Sequence, residues 1–140
     1  MGCAVRMALL DGLQLRDVAL TVRFRPVDGR IDQAAGLVLR CRDARNYYIA
    51  RANALEDNVR LYRVVDGRRI QFAGSNVPVG KDRWQALGLR VEGDRFAVTF
   101  EGRTLFTATD RTFTGPGRIG LRTKADSLTH FDGLEAETPA

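Results

Sequence analysis

In NYYIARANALEDNVRLY, residues 46–62 of a 140-residue chain, Tyr47, Arg51, Asn53, Asn58, Arg60 and Tyr62 recur at alternate positions around the acidic pair Glu56 and Asp57. Guanidinium and amide groups offer planar, paired hydrogen-bonding edges, and tyrosine rings offer apolar faces. Such a set suits a hydroxyl-rich ligand. Proton transfer is the other chemistry on offer. Glu56, next to Asp57, is one candidate acid or base, and its plainer reading is a solvated hairpin turn. His130 is the other; it lies opposite Thr129 and Phe131 by strand alternation and close to Asp132, and its plainer reading is a surface histidine. Glycosidic hydrolysis needs two carboxyl groups flanking the scissile bond. Nearly all of the 17 acidic residues fall in expected turns or chain ends, and only Asp17, Asp132 and Glu135 fall in expected strands. With a single histidine there is no His-based metal cluster. Calcium wants about six to eight oxygens; Asp126 and Asp132 would supply some, but no dense Asp/Asn loop supplies the rest. No resident cofactor is expected.

The elements that position these residues are strands. Short alternating runs at 17–25, 35–42, 46–53, 58–65, 68–73, 84–91, 95–100, 103–109, 118–124 and 128–136 are separated by Gly-containing turns such as Asp66-Gly67 and Glu101-Gly102. The expected fold is all-β, two antiparallel sheets packed face to face. Alternation sends Tyr48, Ala50, Ala52, Val59, Leu61, Leu37, Leu39, Ile119 and Leu121 to one side. It sends Tyr47, Ile49, Arg51, Asn53, Asn58, Arg60, Tyr62, Gly36, Val38, Arg40, Gly120, Arg122 and Lys124 to the other. Unpaired charges in a dry core cost several kcal/mol each. Arg40, Arg51, Arg60, Arg122 and Lys124 are therefore expected to look outward, and Arg40, Arg51, Arg60 and Lys124 to share one cationic, tyrosine-bearing face. Trp84, at the start of its strand, is expected in the core or at its rim.

The net charge of +5 rests on twenty Arg and two Lys, spread singly along the chain. With no basic helix, RNA-binding signature or zinc spacing, neither nucleic acid nor a membrane is an expected partner. Cys3 and Cys41 could bridge, yet Cys41 ends an apolar alternation where a buried free thiol is the commoner occupant. In MGCAVRMALLDGLQL, Asp11 interrupts the apolar run, so an export signal is not expected.

Residues 16–136, above all NYY…RANALEDN and TKADS, resemble the concanavalin A-like jelly roll of lectins and glucanases. More narrowly they resemble the bacterial 3-keto-disaccharide hydrolase domain, related to laminin-G-like domains. The resemblance implies a jelly-roll sandwich with 1–15 as an N-terminal extension, 16–136 as the domain and 137–140 as a tail. It also implies an extracytoplasmic setting and further N-terminal strands, which residues 1–15 are too short to supply. An uncovered sheet edge, a route to a homodimer, is the expected consequence. The glucanase Glu-x-Asp-x-x-Glu motif does not occur. Arg122 stands where the group commonly has Trp, and Gly133 where a second Asp often follows Asp132. The expected function is a carbohydrate-associated module holding a glycan or other polar ligand on the Arg/Asn/Tyr face. The alternatives are a hydrolase of 3-keto-glycosides, with Arg51, Arg60 or Lys124 polarising a carbonyl and Glu56 moving the proton, and a laminin-G-like protein-interaction module.

Overall fold

The computed structural model describes residues 5–10, 12–28, 34–124 and 128–138. They form β1 (Val5–Leu9), β2 (Val18–Asp28), β3 (Ala34–Asp43), β4 (Asn46–Asn53), β5 (Asn58–Val65), β6 (Arg68–Asn76), β7 (Gln85–Glu92), β8 (Arg95–Phe100), β9 (Arg103–Thr109), β10 (Arg118–Lys124) and β11 (Leu128–Glu137). Two antiparallel sheets result, ordered β1-β10-β3-β4-β5-β6 and β11-β2-β7-β8-β9. This is an all-β jelly-roll sandwich, and no helix among the described residues is long and apolar enough to cross a membrane.

Turn chemistry sets the hairpins. Asp66 and Gly67 have φ of 51° and 80°, and Glu101 and Gly102 have φ of 53° and 77°. Positive φ at both central residues is the backbone twist that matches two-residue hairpins, and glycine at the second position makes it cheap. The side chains facing between the sheets are those the alternation selects. Val18, Leu20, Val22 and Phe24 of β2 meet Leu37, Leu39, Tyr48, Ala50, Ala52, Val59 and Leu61 from the other sheet, all but excluded from water. Each large apolar side chain so buried contributes about 1.5–3 kcal/mol. Tyr48 anchors an aromatic cluster, its ring centroid 4.7 Å from Phe96, 5.3 Å from Phe113 and 5.9 Å from Phe72.

The structure departs from the sequence reading in three places. Residues 5–9 are a strand of the six-stranded sheet, paired from Val5↔Lys124 to Leu9↔Gly120, rather than an extension outside it. Their polar and apolar residues do not alternate cleanly, so only the pairing with β10 reveals them. Trp84 precedes β7 and is exposed, with the Arg23 guanidinium 5.5 Å from its ring centroid.

The third departure is a bulge. The β3–β4 register runs Leu39↔Tyr48 and then Asp43↔Asn46, and the β10–β3 register shifts between Arg118 and Gly120. Arg40 sits at the irregularity with φ of 47°. Toward β10 the shift is one residue, Cys41 pairing with Arg118 and Val38 with Gly120, and one extra residue reverses the alternation at Cys41. Cys41 therefore joins Val38, Tyr47, Ile49, Tyr62 and Val64 in a small outer cluster, not the core between the sheets. It is a buried free thiol, its Sγ 3.1 Å from the Asp43 carbonyl oxygen. Cys3 lies outside the described residues. A Cβ at Gly117 would stand 2.4 Å from the Arg40 carbonyl carbon and 2.6 Å from Cys41 N, so this crossing admits only glycine.

Candidate functional site: the outer face of the six-stranded sheet

Strand pairing assembles the face row by row. Arg122 pairs with Gly36, Gly36 with Arg51, Arg51 with Arg60, and Arg60 with Gly74. The next row runs Gly120, Val38, Ile49, Tyr62 and Gln71 by the same pairings. The glycines let long side chains lie flat. Ile49 Cδ1 is 2.6 Å from where a Gly36 Cβ would be, and Arg60 Cδ is 3.0 Å from that of Gly74.

Arg51, Arg60, Tyr47, Tyr62, Asn53 and Asn58 thus come together, as the alternation requires. Arg51 is only 8% exposed and Asn58 4%. The Arg51 guanidinium carbon is 5.4 Å from the Tyr62 ring centroid, and that of Arg69 is 4.5 Å from the same ring. Arg122 lies 5.7 Å from the centroid of Tyr47. Such contacts spread each guanidinium's charge over an aromatic face while keeping its edge for hydrogen bonds. Arg69 was not legible in advance, because its place depends on the register shift between Leu61 and Tyr62.

The Glu56 carboxylate supplies the negative charge from the turn between β4 and β5. Its Oε1 is 3.4 Å from Arg51 Nη2 and 3.4 Å from Asn58 Nδ2, and its side chain is half exposed. Asp57 turns elsewhere and accepts a hydrogen bond from Val79 N at 3.0 Å. Asn53 Oδ1 accepts from Leu55 N and Glu56 N at 2.9 and 3.2 Å, so Asn53 shapes the turn that carries Glu56. Three buried side-chain polar atoms lack a hydrogen-bond partner among the described residues. Arg25 Nε faces Asp82 at 3.3 Å, while Arg51 Nε and Asn58 Oδ1 lie on this face. A buried polar group left unsatisfied costs about 1–3 kcal/mol, and two of the three lie on this face, on side chains that both approach Glu56 Oε1.

Of the five other candidates, three stand away from this cluster and two have side chains outside the described residues. Arg40 is not outward at all. The bulge turns it inward, 1% exposed, where its guanidinium donates to Arg16 O (2.8 Å), Phe113 O (3.0 Å) and Asp17 Oδ1 (3.2 Å). Burial lowers its pKa from the ordinary value, and Asp17 works against that shift. Lys124 ends β10 opposite Val5, but its side chain lies outside the described residues, as does Asp126 entirely. His130 is exposed on β11 of the other sheet, paired with Arg25, and Asp132 is ion-paired with Arg23 rather than with His130. No three His, Cys, Asp or Glu side chains converge as a metal site would need among the described residues.

A larger concavity of 610 Å³ lies on the outer face of the other sheet, lined by Arg90, Glu92, Arg95, Ala97, Thr107 and Thr109. It is an open groove, and Arg90 is already held by Glu92 through Nε at 3.0 Å. Volume favours that groove; unsatisfied chemistry favours the Arg51 face.

No family model matches the sequence. The chain is 30% identical over 112 residues to the levanase of Bacillus subtilis strain 168, an alignment that spans 79% of this chain and 16% of the levanase. Its fold is similar to that of the carbohydrate-binding module CBM66 from Bacillus subtilis, with a TM-score of 0.84 and 21% identity over 97% of this chain and 96% of that one. Chicken galectin 2 superposes with a TM-score of 0.69 at 10% identity, covering 94% of this chain and 99% of its own. These likenesses support the jelly-roll sandwich class. They lend no support to the narrower 3-keto-disaccharide hydrolase or laminin-G-like resemblance.

Proposed function

We propose that the chain is a carbohydrate-binding module that holds a glycan on the outer face of the six-stranded sheet, through Arg51, Asn58, Arg60, Tyr62 and Tyr47. One observation carries the reading. Arg51 and Asn58 are nearly buried, neighbour one another on the face, and each keeps a hydrogen-bonding atom unused. The sandwich shared with CBM66 and galectin 2 supports it, as does the fact that the alignment with levanase takes up a small part of that longer protein. Partly exposed Arg60, whose Nη2 is 3.5 Å from Asn76 Oδ1, can turn toward a ligand.

Calorimetric titration with the glycans that an array screen selects tests the proposal. Arg51→Ala and Arg60→Ala should each weaken binding by about 1.5–3 kcal/mol, the value of a charge-assisted hydrogen bond. Unchanged affinity in both variants would remove the face from consideration. A Glu56→Gln variant that stops turnover of a 3-keto-disaccharide while still binding it would replace the module with a hydrolase.

A further inference from the structure

The module's ligand chemistry can be narrowed by asking what would satisfy the face completely. Arg51 and Arg60 are direct cross-strand partners, and like charges so placed repel. Arg69 and Arg122 add two more guanidinium groups around the same tyrosines. Glu56 approaches this cluster, and it does so at 3.4 Å from a half-exposed turn, beyond the 2.7–2.9 Å of a strong guanidinium–carboxylate bond. A carboxylate is therefore attracted here but loosely held. Beside Arg51 the space bounded by Ala34, Ile49, Arg122 and Thr123 is only about 10 Å³, room for a single water. A ligand group reaches Arg51 by taking the place of the Glu56 carboxylate, not by filling an empty hole.

We propose that the face selects an acidic sugar unit, one whose carboxylate displaces Glu56 from Arg51 while a neighbouring hydroxyl donates to Asn58 Oδ1. Two coplanar oxygens match the guanidinium fork, so a carboxylate satisfies Arg51 Nε and Nη2 together. The vicinal hydroxyl of a uronic acid supplies the donor that Asn58 Oδ1 lacks. Glu56 is then an internal stand-in for the ligand's own acid. This inference rests on the glycan-binding reading of the same face.

The experiment pairs uronic-acid-containing oligosaccharides with the same oligosaccharides after reduction of the carboxyl groups to alcohols. Both sets are printed on one array, and the hits are titrated against the intact chain. The acidic members should bind about tenfold or more tightly than their reduced counterparts. That preference should shrink as salt is raised and fall away in Arg60→Ala. Arg51→Lys keeps the charge but loses the fork, and should lose most of the preference; thermal denaturation of each variant identifies any loss due to misfolding. Glu56→Gln, which removes the competing carboxylate, should bind the acidic members several-fold more tightly and the reduced ones no differently. Equal binding of acidic and reduced members, still weakened by Arg60→Ala, would overturn the acidic specificity and leave the glycan-binding face standing. Binding of neither set, or binding that is indifferent to Arg51→Lys and Arg60→Ala, would overturn both.

Discussion

Two arginines with the same sequence credentials do opposite things. Arg51 and Arg40 both sit at polar positions of alternating strands, yet Arg51 keeps an unpartnered Nε on an outer face while Arg40 satisfies three acceptors inside. Removing one partner of a buried ion pair costs about 3–5 kcal/mol. Asp17 is partly exposed, so Arg40→Ala should lower unfolding stability by somewhat less, about 2–4 kcal/mol in urea titrations, with m-values unchanged. Tyr48 carries a second structural role that the alternation placed inside without revealing its partners. Its hydroxyl donates to Asp110 Oδ1 at 2.5 Å and accepts from Phe113 N at 3.1 Å, and Arg63 Nη1 holds Asp110 Oδ2 at 2.8 Å. Burial, reinforced by the Asp110 hydrogen bond, pushes the Tyr48 pKa up to about 12. Burial alone would raise the Asp110 carboxyl, but hydrogen bonds from Tyr48 and Thr112, with Arg63 nearby, outweigh it and leave that pKa lowered. The signs then differ at the two ends of the pH scale. Tyr48 stabilises fully below the ordinary tyrosine range near 10, and that contribution is lost as pH rises through about 12. Asp110 stabilises above the ordinary carboxylate range and loses its contribution as pH falls through its lowered value. Ultraviolet titration should show a tyrosinate step near pH 12 that Tyr48→Phe abolishes. The same variant should flatten the acid limb of the stability curve; an unchanged acid limb would mean that Asp110 does not depend on Tyr48.

At the scale of strands, period-two alternation and Gly turns were enough to place ten of the eleven described strands, from β2 to β11. Both signals are local, which is why they are legible. The bulge at Arg40 is not local: it arises where Gly117, the residue before β10, crosses β3, and nothing within RCRD announces it. That one residue moved Arg40 out of the candidate face and Cys41 into it. The site itself was legible where the hairpin of β4 and β5 is regular, from Asn53↔Asn58 to Tyr47↔Val64. It was not legible where partners come from distant strands, as with Arg69 and the stacking of Arg122 on Tyr47. The bulge gives its own test. Gly117→Ala drives a Cβ into the backbone of Arg40 and Cys41, and the Leu15–Gly117 hydrogen bonds at 2.9 and 3.1 Å leave that strand little room to retreat. A loss of about 1–3 kcal/mol is expected. Gly115→Ala, with open space at its Cβ, should cost far less. Comparable losses in the two variants would remove the bulge as the reason.

For the whole molecule the question is how the open sheet edges govern whether copies meet. On one side of the sandwich the sheets end in β6 and β9. An unpaired edge strand is a template for another chain, and charged side chains are a common way to blunt it. β6 begins with exposed Arg68 and Arg69, and β9 begins with exposed Arg103. Two copies meeting edge to edge there would bring arginine against arginine within a molecule that already carries a net charge of +5. Exposed Ile70 lies on the same β6 edge and would gain from burial, so charge is what stands against association. Arg68 and Arg103 are outside the Arg51 face, and replacing both with threonine keeps strand propensity while deleting the repulsion. The Arg68→Thr/Arg103→Thr protein should therefore show a higher weight-average mass than the parent in sedimentation velocity at low ionic strength. Raising salt should push the parent in the same direction by screening the same charges. A double variant that sediments as the parent does at every salt concentration would show that these arginines do not guard the edge, and that any pairing between copies runs through the β1 or β11 side instead.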